Sequence, residues 1–364
     1  MKSKKNIKIN RDKKKNKRIL KFKVKKKIRN KINNSISEVD KFRNYYIKKQ
    51  KQKLFTDLRS NIDYTNVFAP KVLSLINNPN QVIEFINKLK RSYNEREKVF
   101  VDLSSVIEIG HDAIVILLSI MIKFKANKIK FNGNFPKSKN ARNILFESKF
   151  FDHLNENISS SKDYNIGDSK SIHTHGNLIV DSELAGTILL GASNTILNKY
   201  SHPKGAYRVL QEIMHNTVSH AKGLKEIEAK HWWLSVDHDK INKIVKFSFI
   251  DFGVGVFRSL IDTPNNSKWS KGVEYFKKLV NLDQNEIFFQ EIIEGKIHAS
   301  VTGHHYRGKG IPGVNQTFKR NQINNLYIIT NNVMYIGKNN SFIKLSTWFE
   351  GTFYYFELNE DCYE

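Results

Sequence analysis

With one cysteine, Cys362, in 364 residues, the chain cannot close a disulfide on itself or build a CxxC-type zinc site. Long apolar runs are missing too. Crossing a bilayer takes about 20 apolar residues, and the nearest candidate, AIVILLSIMI at 113–122, has half that length and is followed by Lys123. No apolar segment or small-residue cleavage site follows the basic N-terminus, so no signal peptide and a cytoplasmic location are expected. Internal repeats are absent. Acids are scarce at the start: residues 1–53 hold 23 Lys and Arg against Asp12, Glu38 and Asp40, a net +20 of the formal +26. The other 311 residues carry only +6. The basicity therefore belongs to a tail, and the remainder is nearly ordinary in charge.

At 40% hydrophobic and 12% aromatic residues, the chain as a whole is globular and long enough for two domains with separate cores. The tail 1–53 is different. Like charges this dense resist folding alone, and such a segment binds polyanions by releasing their counterions without reading sequence. Nucleic acid or a ribosome is the partner class this suggests. A membrane surface and a purely solubilising role are the alternatives.

Residues 54–155 alternate strand and helix. The stretch 77–92 reads as a helix, KVFVDLSSV (98–106) as a buried strand, and HDAIVILLSIMIKFKA (111–126) as a helix with little polar surface. A short strand, KIKFNG (128–133), precedes an amphipathic helix over 138–154 with Ser138 as its cap. Residues 156–179 are polar and read as a linker. His173 and His175 lie in it with nothing to complete a metal site.

The run VDLSSV and the later SKFFDHL resemble the STAS domain, the fold of anti-sigma factor antagonists. In that family a serine in an Asp-Ser-Ser-Gly turn after the strand is phosphorylated. Here Gly110, His111, Asp112 and Ala113 stand in its place, so the expected role is a scaffold or docking surface rather than a phospho-switch.

From 180 to 364 a second α/β pattern begins. One or two helices occupy 184–222, strands are expected at 231–239, 242–253, 326–337, 342–349 and 349–358, and a helix at 314–320. Within QEIMHNTVSHA (211–221) a step of four residues turns a helix by about 400°, leaving Glu212, Asn216 and His220 on one polar stripe. Val209, Leu210, Ile213, Met214 and Thr217 make the opposite, sheet-packing face. A carboxylate and an amide oxygen are hard ligands suited to magnesium, which normally enters with phosphate. A carboxylate one turn from the ion can orient or deprotonate a nucleophile. DFGVGV places Asp251 at a strand end before Gly253 and Gly255, where an aspartate can accept a hydrogen bond from an exocyclic amine and glycine permits close approach. RGKGIPG offers Gly308, Lys309 and Gly310 at a helix start, a place for phosphate oxygens.

These elements, in this order, resemble the GHKL superfamily of ATP-binding domains, whose Bergerat fold is a two-layer α+β sandwich: a mixed sheet with helices on one face. Glu212, Asn216, His220 and Ala221 match its N-box. Asp251, Gly253 and Gly255 match its first glycine box, Arg307, Gly308, Gly310 and Ile311 its second, and Gly351 and Thr352 its closing Gly-Thr. The resemblance implies an ATP·Mg site. In it Asn216 holds magnesium, Asp251 reads the adenine amine, Gly253 and Gly255 shape the base pocket, and Gly308, Lys309 and Gly310 cover the phosphates. Thr352 supports the adenine side, 257–306 forms a lid, and Glu212 is the base.

Gly303 to Lys309 also satisfies G-x-x-x-x-G-K, but Gly310 follows where a P-loop needs Ser or Thr. A sensor histidine kinase would need a phosphoacceptor helix just upstream. His111-Asp112 lies about 100 residues before the N-box, and His202 precedes Pro203. The remaining readings are a regulatory ATPase that dimerises or changes shape with nucleotide, an anti-sigma-factor-like protein kinase with a protein partner, a nucleotide-sensing interaction module, and a basic-tailed nucleic-acid-associated protein without turnover.

Overall fold

The computed structural model describes residues 64–148, 150, 180–220, 232–257, 284–296 and 310–364. The basic tail 1–53 and the linker with His173 and His175 lie outside the described residues. Among the described residues no helix is long and apolar enough to cross a membrane.

The first half runs β1 (Thr65–Phe68), β2 (Val72–Leu73), α1 (Pro79–Asn94), β3 (Val99–Asp102), β4 (Glu108–Ile109), α2 (His111–Ala126), β5 (Phe131–Gly133) and α3 (Lys139–Glu147). Parallel strands need a long crossover, and α1 and α2 supply two of them. They place β1, β3 and β5 side by side as a parallel sheet, with Thr65 opposite Val99 and Val99 opposite Phe131. Proline at the first turn suits α1, since the N–H it lacks has no helical partner there. Ser138 caps α3 by accepting from the Ala141 N–H.

The second half runs α4 (Ser182–Leu197), α5 (Lys204–His220), β6 (Trp232–Asp239), β7 (Ile244–Asp251), α6 (Asn285–Ile293), α7 (Gly310–Lys319), β8 (Asn324–Ile336) and β9 (Ser341–Leu358). Its sheet has the order β6-β7-β9-β8 and is antiparallel at every described pairing, where a mixed sheet was expected. The short links β6–β7 and β8–β9 account for two of the three pairings, because a tight turn reverses the chain. The two strands expected at 342–349 and 349–358 are one, β9. The β8–β9 ladder skips Glu350 and Gly351, passing from Thr330–Thr352 to Asn331–Phe349, and this bulge replaces the expected break.

The sheet carries helices on both faces rather than one. Trp232, Leu234, Phe247, Phe249, Tyr354 and Phe356 point toward the core shared with α4 and α5. Their neighbours Trp233, Ile250, Phe353 and Tyr355 point the other way and join a core with Ile83, Ile86, Ile114 and Leu118 of α1 and α2. A helix apolar on all sides must be buried on all sides. α2 meets that requirement by lying between two sheets, buried at every position from Asp112 to Ile120. The described residues from 64 onward consequently belong to one compact unit. Polar contacts fasten the seam: Asn80 Oδ1 accepts from the Ser346 N–H at 2.8 Å, Asn87 Nδ2 donates to the Trp348 carbonyl at 2.8 Å, and His111 Nε2 lies 3.5 Å from Asp237 Oδ1.

A chain cut back to 180–364 would bare Trp233, Ile250, Phe353 and Tyr355 as one apolar patch. It is expected to aggregate or to bind a hydrophobic dye strongly, measured beside the full chain. A soluble fragment that leaves the dye dark would contradict the shared core.

Candidate functional site

The apolar face of α5 is as its spacing predicts. Val209, Leu210, Ile213 and Met214 are buried, with Thr217 beside them. That seating turns Glu212 and Asn216 outward, each partly exposed. His220 ends the helix, and its side chain lies outside the described part. Arg307, Gly308 and Lys309 also lie outside the described residues, as does most of the expected lid 257–306.

Asp251 ends β7 and is 9% exposed. A buried carboxylate must be hydrogen-bonded, and three donors converge on this one. The Gly253 N–H reaches Oδ1 at 2.9 Å, and the Thr352 N–H and hydroxyl supply the others from the facing position on β9. Burial pushes the carboxyl up to about 6, against these hydrogen bonds and the charge of Lys90. Backbone crowding explains two glycines. Gly351 has φ +127°, and a Cβ there would stand 2.1 Å from the Asp251 carbonyl oxygen. Gly255 has φ +76°, and a Cβ there would stand 2.4 Å from Asn331 Nδ2.

Thr330 and Asn331 are the residues that sequence reasoning missed. Both are fully buried on β8. Thr330 Oγ1 accepts from the Val256 N–H at 3.0 Å and donates to the Gly351 carbonyl at 3.3 Å. Asn331 Oδ1 accepts from the Phe257 N–H at 3.0 Å, while Nδ2 donates to the Val254 carbonyl at 3.1 Å. Together they hold the glycine turn after Asp251 to the sheet. The available signal was the polar TNN interrupting the apolar run LYIITNNVMYI. Asn331 has φ +51° at the bulge, a conformation asparagine tolerates better than most residues.

The second-box glycine that is described, Gly310, begins α7 against α5. A Cβ on it would stand 2.4 Å from Asn216 Nδ2. Asn216 also meets Tyr354 of β9. Burial and the charges of Asp251 and Glu212 hold its phenol far above the usual range, opposed by a hydrogen bond from Asn216. Tyr354 thus remains a neutral hydroxyl bonded to Asn216 and within the field of Asp251 and Glu212, and Thr352 lies two residues along the same strand. The fold sets Gly253 and Thr352 on Asp251 at the ends of β7 and β9, and Gly310 on Asn216 where α7 starts beside α5, with Glu212 one turn from Asn216 and Gly255 held against Asn331. Among the described residues no three His, Cys, Asp or Glu side chains converge as a metal cluster. Comparison with protein-family models, with curated proteins and with solved structures finds no match for this chain.

The elevated carboxyl of Asp251 has a direct thermodynamic consequence. Between its ordinary 3.8 and about 6, the folded chain holds a proton that the unfolded chain has released. Its contribution is therefore full below 3.8 and is lost as the pH rises through about 6. Urea unfolding of wild type and Asp251→Asn across this window is expected to give a difference that changes by on the order of 2 kcal/mol. A difference independent of pH would contradict the burial of that carboxyl.

Proposed function

We propose that the chain binds ATP with magnesium in a GHKL-type site, with residues 180–364 as a Bergerat-type domain and the preceding α/β half as a STAS-like one. The observation that supports this most is that Gly310 packs against Asn216 while Tyr354 of β9 bonds Asn216 and feels the charge of Asp251, three segments remote in sequence. Asp251 is an enclosed acceptor at a glycine-lined turn, suited to an exocyclic amine, with Thr352 beside it. Asn216 offers one neutral amide oxygen and no cage of acids surrounds it among the described residues. A magnesium ion there would take its remaining ligands from phosphate and water, which is its usual habit. The donor set therefore fits ATP·Mg better than it fits a resident metal.

In this reading Asp251 orients the base and Gly253 and Gly255 let it approach. Gly310, with Arg307, Gly308 and Lys309, faces the phosphates, and His220 continues the polar stripe of α5. Bound ATP supplies a phosphoryl group that is transferable once its charge is neutralised. Glu212, one helical turn from Asn216, takes a proton from the attacking water or hydroxyl and orients it. The chain is thus read as a regulatory ATPase or as an anti-sigma-factor-like protein kinase. A protein kinase is favoured by the STAS-like half packed on the back of the sheet, because that fold is associated with such kinases. A cytoplasmic location, a homodimer and nucleic-acid association through residues 1–53 are parts of the same proposal.

The full-length protein incubated with labelled ATP and magnesium, with and without cell extract, tests it. Asn216→Ala is expected to lose nucleotide binding. Glu212→Ala is expected to retain nucleotide and to lose turnover by about two to four orders of magnitude. Free phosphate identifies an ATPase, and label on a second protein identifies a kinase. Retention of unchanged ATP by wild type would remove the catalytic role of Glu212. No retention at all would remove the site.

A further inference from the structure

α1 and β9 meet through a regular series of contacts. Asn80, Asn87 and Lys90 of the helix engage backbone groups of residues 346, 348 and 350, matching helical turns to alternate strand positions. All three hydrogen bonds are exposed. The third reaches the candidate site. Lys90, whose side chain is 20% exposed, donates from Nζ to the Glu350 carbonyl at 3.0 Å and stands 3.6 Å from the Glu350 carboxylate. The same ammonium lies 4.8 Å from the centroid of the Phe252 ring and 5.8 Å from that of Phe349. Lys123 of α2 approaches Phe252 as well, at 5.1 Å.

The sequence positions of these partners matter. Phe252 directly follows Asp251, and Glu350 directly precedes Gly351 and Thr352. One ammonium from the first half of the chain therefore grips both segments that present the carboxylate and its donor. The grip acts where the backbones are already crowded, with Gly351 against the Asp251 carbonyl. A partly enclosed lysine is retained there even though burial lowers it to about 8, with Glu350 offsetting part of that cost.

We propose that Lys90 is a positioning residue for the Asp251–Gly253 turn, through which α1 sets the spacing between Asp251 and Thr352. As a statement about nucleotide, this rests on the ATP·Mg reading above. It makes the STAS-like half part of the base site's support. Any ligand of that half that moves α1 then changes ATP affinity, and ATP changes that ligand's affinity by the same factor.

The test compares full-length wild type, Lys90→Met and Asn80→Ala, the last removing a fastener of the same seam that lies away from the turn. Two readouts are used: Mg·ATP affinity by calorimetry between pH 5 and 8, and amide hydrogen exchange at Gly253 and Thr352 without nucleotide. Lys90→Met is expected to bind Mg·ATP about ten-fold more weakly, ~1.4 kcal/mol. Its pH midpoint should be higher than wild type's, because Asp251 ionises less readily without the lysine's charge. Exchange at the two amides should quicken about ten-fold. Asn80→Ala should match wild type in affinity, midpoint and exchange. Equal behaviour of Lys90→Met and wild type, or equal losses in both variants, would overturn the proposal. Wild type that fails to bind Mg·ATP would sink the nucleotide reading alone. The amide exchange would still decide whether Lys90 positions the turn, faster exchange in Lys90→Met supporting it and unchanged exchange overturning it.

Discussion

A carboxylate can stay buried at the end of a strand only if donors reach it, and meeting that need at Asp251 shapes much of the surrounding fold. The Gly253 N–H requires the chain to double back within two residues. The Thr352 N–H and hydroxyl require β9 to pair with β7 in one register. That register presses residue 351 against the Asp251 carbonyl, leaving room only for glycine. The bulge at Glu350 and Gly351 absorbs the resulting mismatch with β8, and its partner residues Thr330 and Asn331 supply the hydrogen bonds that fix the turn. Motif residues and scaffold residues thus belong to one hydrogen-bonded group.

The same sheet is constrained from behind. Each of its strands sends apolar side chains to both faces, and those on the second join a core with α1 and α2 of the first half. A helix between two sheets has no solvent side, which explains the unbroken apolar run of α2. The cost is independence, because the two halves share a core and cannot exchange partners as separate domains would. The benefit is a packed back wall behind the strand ends that carry Asp251 and Thr352.

Much of this was legible in the sequence. The bounds of α2 at 111–126 follow from composition, and the apolar face of α5 follows from a spacing of three and four. The cap at Ser138 and the strands β6 and β7 were equally readable. The partner of α2's second apolar side was not, since periodicity says that a face is buried without saying against what. Tyr354 was hidden because an aromatic in an apolar strand looks like ordinary core. Thr330 and Asn331 were hidden because a bulge is a property of two paired strands, and the pairing is not local. Among the motif residues, those on helices and strands can be placed against one another, whereas Arg307, Gly308 and Lys309 lie outside the described residues.

The central claim is that Asp251 receives an adenine base while Asn216 faces the phosphates across Tyr354. An experimental structure of the full chain with magnesium and a non-hydrolysable ATP analogue tests it most directly. The account predicts the exocyclic amine within hydrogen-bonding distance of the Asp251 carboxylate and the metal within coordination distance of the Asn216 amide oxygen. A nucleotide bound elsewhere, or held with its base away from Asp251, would contradict it.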